Sequence, residues 1–434
     1  MNPLGLWRRS RIEASLAAHR LRHGEAAEGD VGPAQLDGLN AAWRESLRRS
    51  PWARALRDRL DLPDRFADWD DFARRVPVQR KADVRLDLAA AAGPAGKVLW
   101  RSTGGTTAEP MRFPVFASET RDAALDIWLG RDRLGVTAAD PVFMIWGHSH
   151  MFGTGLRGAV AQWRRRATDL ALGYTRWNAY RLSDADLDQA ADALIRSRAR
   201  YVIGYSTALD RFARVNAGRA TALARLGLKV VIATAEAFPR ADSREAIAAC
   251  FGCPVAMEYG AVETGPIAYE RPGDGYDVFW RHYRLELAGQ GDPGGPGELI
   301  VTSLYPRALP LLRYAVGDLA TPRDGGVLTR MGAIAGRCND HVELAGGAVI
   351  HSEAFTHVMR DIPEVRSYQI VRRRSAALPT IRVETPGPLA PALVALVRDR
   401  LARVDPRLAG VEVEATDRIA RSVAGKHRMV VEEP

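Results

Sequence analysis

The sequence predicts an α/β fold: a large multilayer α/β N-terminal domain over residues 1–336, followed by a small, mobile α+β C-terminal lid domain over 337–434. Three observations carry this expectation. First, 434 residues with 47% hydrophobic content can bury a sizeable core, a composition that excludes both a disordered chain and a fibre. Second, from about Lys97 onward short apolar runs of strand length (KVLW, VFMIW, YVIGY, KVVIATA, VAMEY) alternate with helix-like stretches. Third, beyond Gly336 the alternation tightens into a separate module of short strands and two helices.

Taken in order, residues 1–90 read as a helical region, because Trp43, Leu47, Trp52 and Leu56 recur near helical spacing with few strand signals between them. The helix after Ser183 is marked by a capping box, Ser183 with Asp186. Leu187, Ala190, Ala191, Leu194 and Ile195 are then expected on one buried face, up to the strand at Tyr201. A Gly/Pro-rich turn, GQGDPGGPGE at 289–298, precedes LIVTSLYPRALPLLRYAVGDLATP, which reads as strands joined by a tight turn. The C-terminal module runs HVEL, a Gly346-Gly347 turn, AVI, a helix from Ser352, VRSYQIV, TIRVET, a helix through Leu389 to Val404, and VEVEA. The stretch from Arg337 to Asp340 reads as the linker, and short linkers permit domain rotation.

Charge and cysteine content narrow the class. The formal charge is +9, but 57 of 61 basic residues are arginines spread along the chain, a pattern that argues against a nucleic-acid stripe. Lysine occurs only at Lys81, Lys97, Lys229 and Lys426. Cys250, Cys253 and Cys338 cannot form a disulfide framework, so a reducing cytoplasm is the expected setting. No apolar run reaches the roughly 18–20 residues of a membrane span.

In open α/β sheets ligands gather at the loops leaving the C-terminal ends of strands, and the unusual loops follow the predicted strands. RSTGGTTAEP (101–110) follows KVLW. Its Gly104 and Gly105 let backbone N–H groups approach an anion, while Ser102, Thr103, Thr106 and Thr107 can donate to phosphate; the alternative is a hydroxyl-rich turn. EYGAVETGP (258–266) follows VAM. Tyr259 can offer an aromatic face to a base, and Glu263 is a carboxylate suited to Mg²⁺, or the Tyr-Gly pair simply ends a strand. In RYAVGDLA, Asp318 can accept from two ribose hydroxyls or serve a turn. Lys426 in SVAGKHR is a compact ammonium where arginine fills nearly every other basic position, or a solvated surface lysine.

The order of these pieces (STGGTT at 102, YGxxE at 259, RYxxGD at 313, GRxND at 336, GK at 425) resembles the adenylate-forming superfamily of acyl-CoA synthetases, adenylation domains and luciferases. GELIVTSLYPRALPLLRYAVGDLA and RRVPVQRKADVR are most similar to the phenylacetate-CoA ligase group and its capsular-polysaccharide relatives, a likeness spanning about residues 45–430. It implies ATP, Mg²⁺ and CoA. Ser102, Thr103, Gly104, Gly105, Thr106 and Thr107 would hold the pyrophosphate end of ATP, and Tyr259 would stack on adenine. Glu263 would bind Mg²⁺, Asp318 with Arg337 the ribose, and Glu236 of TAEAFP and Gly260 would line the nucleotide site. Lys426 would bridge the acid's carboxylate and the α-phosphate, and Asn339 takes the hinge position where the family commonly has Asp. The chain departs from the family pattern at Ala108, Glu109 and Val262.

Two features stand outside the resemblance. In WGHSHMFGTG, His148 and His150 point to one side if extended; with Trp146 they can line an acid pocket, to which Tyr205 also belongs, pack structurally, or act as a base or metal pair. Cys250-x-x-Cys253 has no second pair and reads as packing rather than zinc. The leading expectation is ATP-dependent activation of an aryl or apolar carboxylic acid followed by transfer to CoA. Transfer to an amine or hydroxyl is the rival, and a nucleotide binder without turnover the third reading. A homodimer is compatible with each.

Overall fold

The computed structural model describes residues 3–24, 31–91, 97–102, 111–146, 169, 173–179, 182–240, 242–290, 294–323, 328–337, 341–343, 349–351, 355, 358–359, 362, 364–365, 367–373, 376–385, 387–419 and 429–433. Five helices come first: α1 (Pro3–Gly24), α2 (Gly32–Arg49), α3 (Pro51–Leu60), α4 (Trp69–Arg75) and α5 (Lys81–Ala90). The spacing of Trp43, Leu47 and Leu56 works as expected, since all three are buried with Phe66 and Phe72 in one apolar cluster that also takes in Leu304 and Leu312. Trp52 joins the main core instead. Pro51 opens α3, and Ser50 caps it by accepting from the Ala53 N–H at 3.2 Å.

Strands β1 (Val98–Ser102) and β2 (Arg112–Phe116) pair antiparallel in a sheet of their own. KVLW is therefore a strand as expected, but it lies outside the main sheet. Helix α6 (Ala117–Arg133) follows, then the strands of an eleven-stranded sheet. These are β3 (Val142–Trp146), β4 (Tyr174–Asn178), β5 (Tyr201–Tyr205), β6 (Val231–Thr234), β7 (Val255–Ala261), β8 (Gly265–Glu270), β9 (Tyr276–Val278), β10 (Tyr283–Ala288), β11 (Gly297–Ser303), β12 (Tyr314–Pro322) and β13 (Arg330–Arg337). Their order is β10-β11-β12-β13-β9-β8-β7-β6-β5-β3-β4. The β4-β3-β5-β6-β7 half is parallel. The remaining pairs are antiparallel. The parallel strands β5 and β6 are buried at every residue, as sheets covered on both faces require.

The helix Asp184–Ser197 is capped by Ser183, whose hydroxyl accepts from the Asp186 N–H at 3.2 Å. Leu187, Ala190, Ala191 and Leu194 are buried as expected. Ile195 is not: it is 37% exposed, because the apolar stripe of this helix ends one position short of it. Helix α6 lies against β8 so closely that a Cβ on Gly130 would sit 2.3 Å from the Tyr269 ring, so this residue has to be glycine.

The C-terminal residues form a second apolar core, in which Val342, Phe355, Ile362, Tyr368, Ile381, Val397 and Leu401 are buried together. Around it lie the hairpin β14 (His341–Glu343) and β15 (Val349–His351) and a four-stranded sheet. That sheet contains β16 (Ser367–Arg373), β17 (Thr380–Glu384), β18 (Glu412–Thr416) and β19 (Val430–Glu433) in the order β18-β17-β16-β19. The helix expected to run through Leu389 begins at Pro391, where proline favours a first helical position, and ends at Val404. The free Cys250 and Cys253 are buried, which pushes their thiols up to about 11 and about 12, as expected of packed residues. No helix among the described residues is long and apolar enough to cross a membrane.

Candidate active site

The parallel half of the sheet brings the ends of β3, β5, β6 and β7 side by side, and the candidate residues follow one another along that edge. Trp146 ends β3 and Tyr205 ends β5. Their rings lie 5.0 Å apart, tilted by 48°, with Tyr205 buried and Trp146 half-buried. Two aromatic rings thus stand side by side at the ends of neighbouring parallel strands. His148 and His150, expected beside it, lie outside the described residues.

After β6 the chain turns through Ala235, whose φ of 72° puts a non-glycine residue in the left-handed region. Such a conformation costs on the order of 1–3 kcal/mol and persists where surrounding structure holds it. Here the holding contacts are visible. The Glu236 carboxylate accepts from the Thr207 N–H at 3.0 Å, and its carbonyl accepts from Ser206 Oγ at 2.7 Å. Glu236 thus closes the N-terminus of the helix Ser206–Val215, a role that the sequence reading did not assign to it.

Tyr259, on β7, donates from its hydroxyl to Asp318 Oδ2 at 2.7 Å. Its ring is only 8% exposed, packed edge-on to Tyr276 with centroids 6.4 Å apart. Asp318 on β12 stands directly opposite Arg337 on β13 in the strand register. Arg337 is the last residue of that strand, so the expected linker starts after it, and residues 338–340, including Asn339, lie outside the described residues. Gly260 sits at a bulge in the β7–β8 pairing, where a Cβ would come within 2.3 Å of the Gly265 carbonyl oxygen. Its glycine is dictated by strand packing, whatever ligand approaches it.

Glu263 lies in the β7–β8 turn, its side chain 13% exposed, and accepts from Lys81 Nζ at 3.1 Å. The turn is held from beneath. Arg307 is buried and donates to the Glu263 carbonyl and, at 3.3 Å, to the Thr264 carbonyl; Tyr283 donates to the same Thr264 carbonyl at 2.7 Å. Glu119 from α6 pairs with Arg307 at 3.1 Å, so the guanidinium is neutralised where it is buried.

The fold agrees with what the chain resembles. It is 30% identical over 132 residues to a phenylacetate-coenzyme A ligase from Pseudomonas putida, covering 30% of this chain and 29% of that protein. It is 25% identical over 338 residues, 74% of each chain, to a phenylacetate-coenzyme A ligase from Escherichia coli K12. Among solved structures, a 2-hydroxyisobutyryl-CoA ligase in the postadenylation state with 2-HIB-AMP superposes with a TM-score of 0.68 at 19% identity, over 93% of this chain and 89% of that one. The amide bond synthetase McbA from Marinactinospora thermotolerans superposes at 0.52 and 19% identity, over 78% and 71%.

The chain is similar in sequence to phenylacetate-coenzyme A ligases and shares its fold with a solved acyl-CoA ligase. No family model matches it. The matched stretch spans about a third of the length of the first curated relatives, 29% of the Pseudomonas protein and 35% of a Thermus thermophilus one.

Among the described residues the structure joins Tyr259 of β7 to Asp318 of β12, whose ladder partner on β13 is Arg337, and sets Trp146 beside Tyr205. Glu263 stands at the end of the β7 hairpin with Lys81. Thr103, Gly104, Gly105, Thr106 and Thr107 lie outside the described residues, as do Ala108, Glu109 and Lys426; of Ser102 only the backbone, at the end of β1, is described. Sequence reasoning missed Lys81 and Arg307. Lys81 carried a usable signal, since it is one of four lysines in the chain, the same scarcity that singled out Lys426. Arg307 carried none, being one arginine among 57 until folding buries it.

Proposed function

We propose that this chain is an AMP-forming acid–CoA ligase that activates an aryl or otherwise apolar carboxylic acid with ATP and passes the acyl group to CoA. The observation that carries this reading is the contact of Tyr259 with Asp318, directly opposite Arg337, at the same sheet edge as Glu263. A carboxylate is a poor electrophile. In the first half-reaction it attacks the α-phosphorus of ATP and expels pyrophosphate, giving an acyl-adenylate. In the second, the CoA thiol attacks the acyl carbon and AMP leaves.

Each residue has a role in that scheme. Asp318 and Arg337 would hold the ribose, with the Tyr259 hydroxyl fixing the Asp318 carboxylate. The Tyr259 ring would border adenine, and residues 102–107 would cradle the leaving phosphates through backbone N–H groups and hydroxyls. Glu263, paired with Lys81 at 3.1 Å, is a single carboxylate at the β7 turn; it would hold Mg²⁺ together with substrate phosphates in exchange for that pairing, and the ion would supply positive charge next to them. Lys426 would neutralise charge building on the phosphoryl oxygens. Trp146 and Tyr205 would form an apolar wall for the acid.

Because Arg337 closes the last strand of the main sheet, the chain up to 337 and the small C-terminal module are read as two bodies, with the smaller one turning about 338–340 between the half-reactions and shielding the adenylate from water. The absence of a spanning helix among the described residues and the small number of cysteines fit a reducing cytoplasm. A homodimer is tested by sedimentation.

AMP release over a panel of acids, with and without CoA, tests the proposal. CoA-dependent release supports it, and no release with any acid overturns it. A second reading, transfer to an amine, is favoured by the likeness to an amide bond synthetase, and AMP release that needs an amine rather than CoA would establish it.

A further inference from the structure

Away from the strand ends, three histidines and an aspartate converge where α1 meets α6. His19 and His23 lie one helical turn apart on α1, Asp126 is on α6, and His282 immediately precedes β10. One ligand atom from each lies within 4.8 Å of all the others. His19 Nε2 is 2.8 Å from Asp126 Oδ1, His282 Nδ1 is 2.6 Å from Oδ2, and His23 Nε2 is 3.9 Å from Oδ1. His19, His23 and Asp126 are each at least 95% buried.

Hydrogen bonding accounts for only part of this arrangement. Asp126 has one oxygen on His19 and the other on His282, so both carboxylate oxygens are used. His23 is left over: neither of its ring nitrogens has a hydrogen-bond partner, although the ring is 5% exposed and faces the same carboxylate. A buried polar group without a partner costs about 1–3 kcal/mol, so this imidazole needs something to bind. A proton can join only two of these atoms, whereas a cation at the centre joins all four.

We propose that His19, His23, Asp126 and His282 bind a divalent transition metal of the zinc class, as a closed structural site that fastens α1 to the body of the protein. Three imidazoles and one carboxylate form a donor set that zinc favours, and four protein ligands leave no position open for catalysis. Zinc–ligand bonds of about 2.0–2.1 Å place the corners of a tetrahedron about 3.4 Å apart, within the present range of separations. A cleft of about 350 Å³ lined by His19, Arg22, Asp122, His282 and Tyr305 gives the ion an entry path. The site's place in the fold matches a fastening role. Arg20 binds Asp132 of α6 through two bonds of 2.7 Å, and Trp280 Nε1 donates to the His23 carbonyl at 3.1 Å, so the metal would complete a seam already begun. The proposal does not depend on the ligase reading.

The test uses the full untagged chain purified from zinc-supplemented medium, with metal content measured after desalting. The expected result is one zinc per chain, lost in His23→Ala and in Asp126→Asn but kept in the Cys250→Ser/Cys253→Ser double variant. Titration of the metal-free wild-type chain with Co²⁺ should produce the visible spectrum of a four-coordinate N/O site without a thiolate charge-transfer band, and should raise the melting temperature. Because this titration needs no variant to fold, it decides the matter alone if the substitutions are insoluble. A folded wild-type chain that takes up neither Zn²⁺ nor Co²⁺, or metal that follows the cysteines, overturns the proposal.

Discussion

Lys426 and Tyr259 act on different quantities, so they fail differently. Lys426 is assigned a charge that matters as the α-phosphate is attacked. Lys426→Ala should lower acid-dependent pyrophosphate exchange by roughly 10²- to 10³-fold with little change in the KM for ATP. Exchange at the wild-type rate would remove Lys426 from the scheme. Tyr259 instead orients Asp318 through one hydrogen bond of 2.7 Å. A bond to a charged acceptor is worth about 1.5–3 kcal/mol, so Tyr259→Phe should raise the KM for ATP about tenfold or more while kcat stays within about twofold. At this scale the sequence singled out Tyr259 and Asp318, which folding joins by a hydrogen bond, and Glu263, which it sets in the turn after β7. It was silent where a role comes from distant partners. Nothing near Arg307 announces that it will hold the Glu263 turn, and His19 and His23 gain meaning only when Asp126 and His282 fold beside them.

At the scale of elements, the contact between α6 and β8 allows no side chain at Gly130. Gly130→Ala would push a methyl group into the Tyr269 ring, and overpacking of this kind costs about 1–3 kcal/mol. Urea denaturation should show that loss, and a midpoint equal to wild type would mean that α6 can slide. Strands that are buried on both faces, such as β5 and β6, were plain in the sequence because their apolar runs are uninterrupted. β4, with the sequence YTRWN, was not, since every residue of this edge strand is only half-buried and no alternation results. β19 escaped for a similar reason: four half-buried or exposed residues at the edge of the small sheet carry no apolar pattern. Ile195 shows the opposite error, an apolar residue at a plausible helical spacing that the packing leaves outside.

At the scale of the molecule, two apolar cores are bridged by a single ion pair in the described contacts of the helix Ser206–Val215, Arg211 Nη1 to Glu384 Oε1 at 3.4 Å. Partly exposed pairs of this kind contribute at most about 1 kcal/mol, a weak tie compatible with the proposed rotation. Joining Arg211→Cys and Glu384→Cys with a short bis-maleimide, in a chain that also carries Cys338→Ser, should leave one of pyrophosphate exchange and thioester formation intact and abolish the other. If both survived or both disappeared, rotation would not separate the two steps. The eleven-stranded sheet has a further consequence. Tyr259, Asp318 and Arg337 all stand on strands of one continuous sheet, while Lys426 belongs to the far end of the chain, beyond β18. On the proposed reading, the grip on AMP and the power to turn it over are inherited separately. A descendant could keep nucleotide sensing after losing its chemistry, and a calorimetric titration with AMP would not tell the sensor from the enzyme.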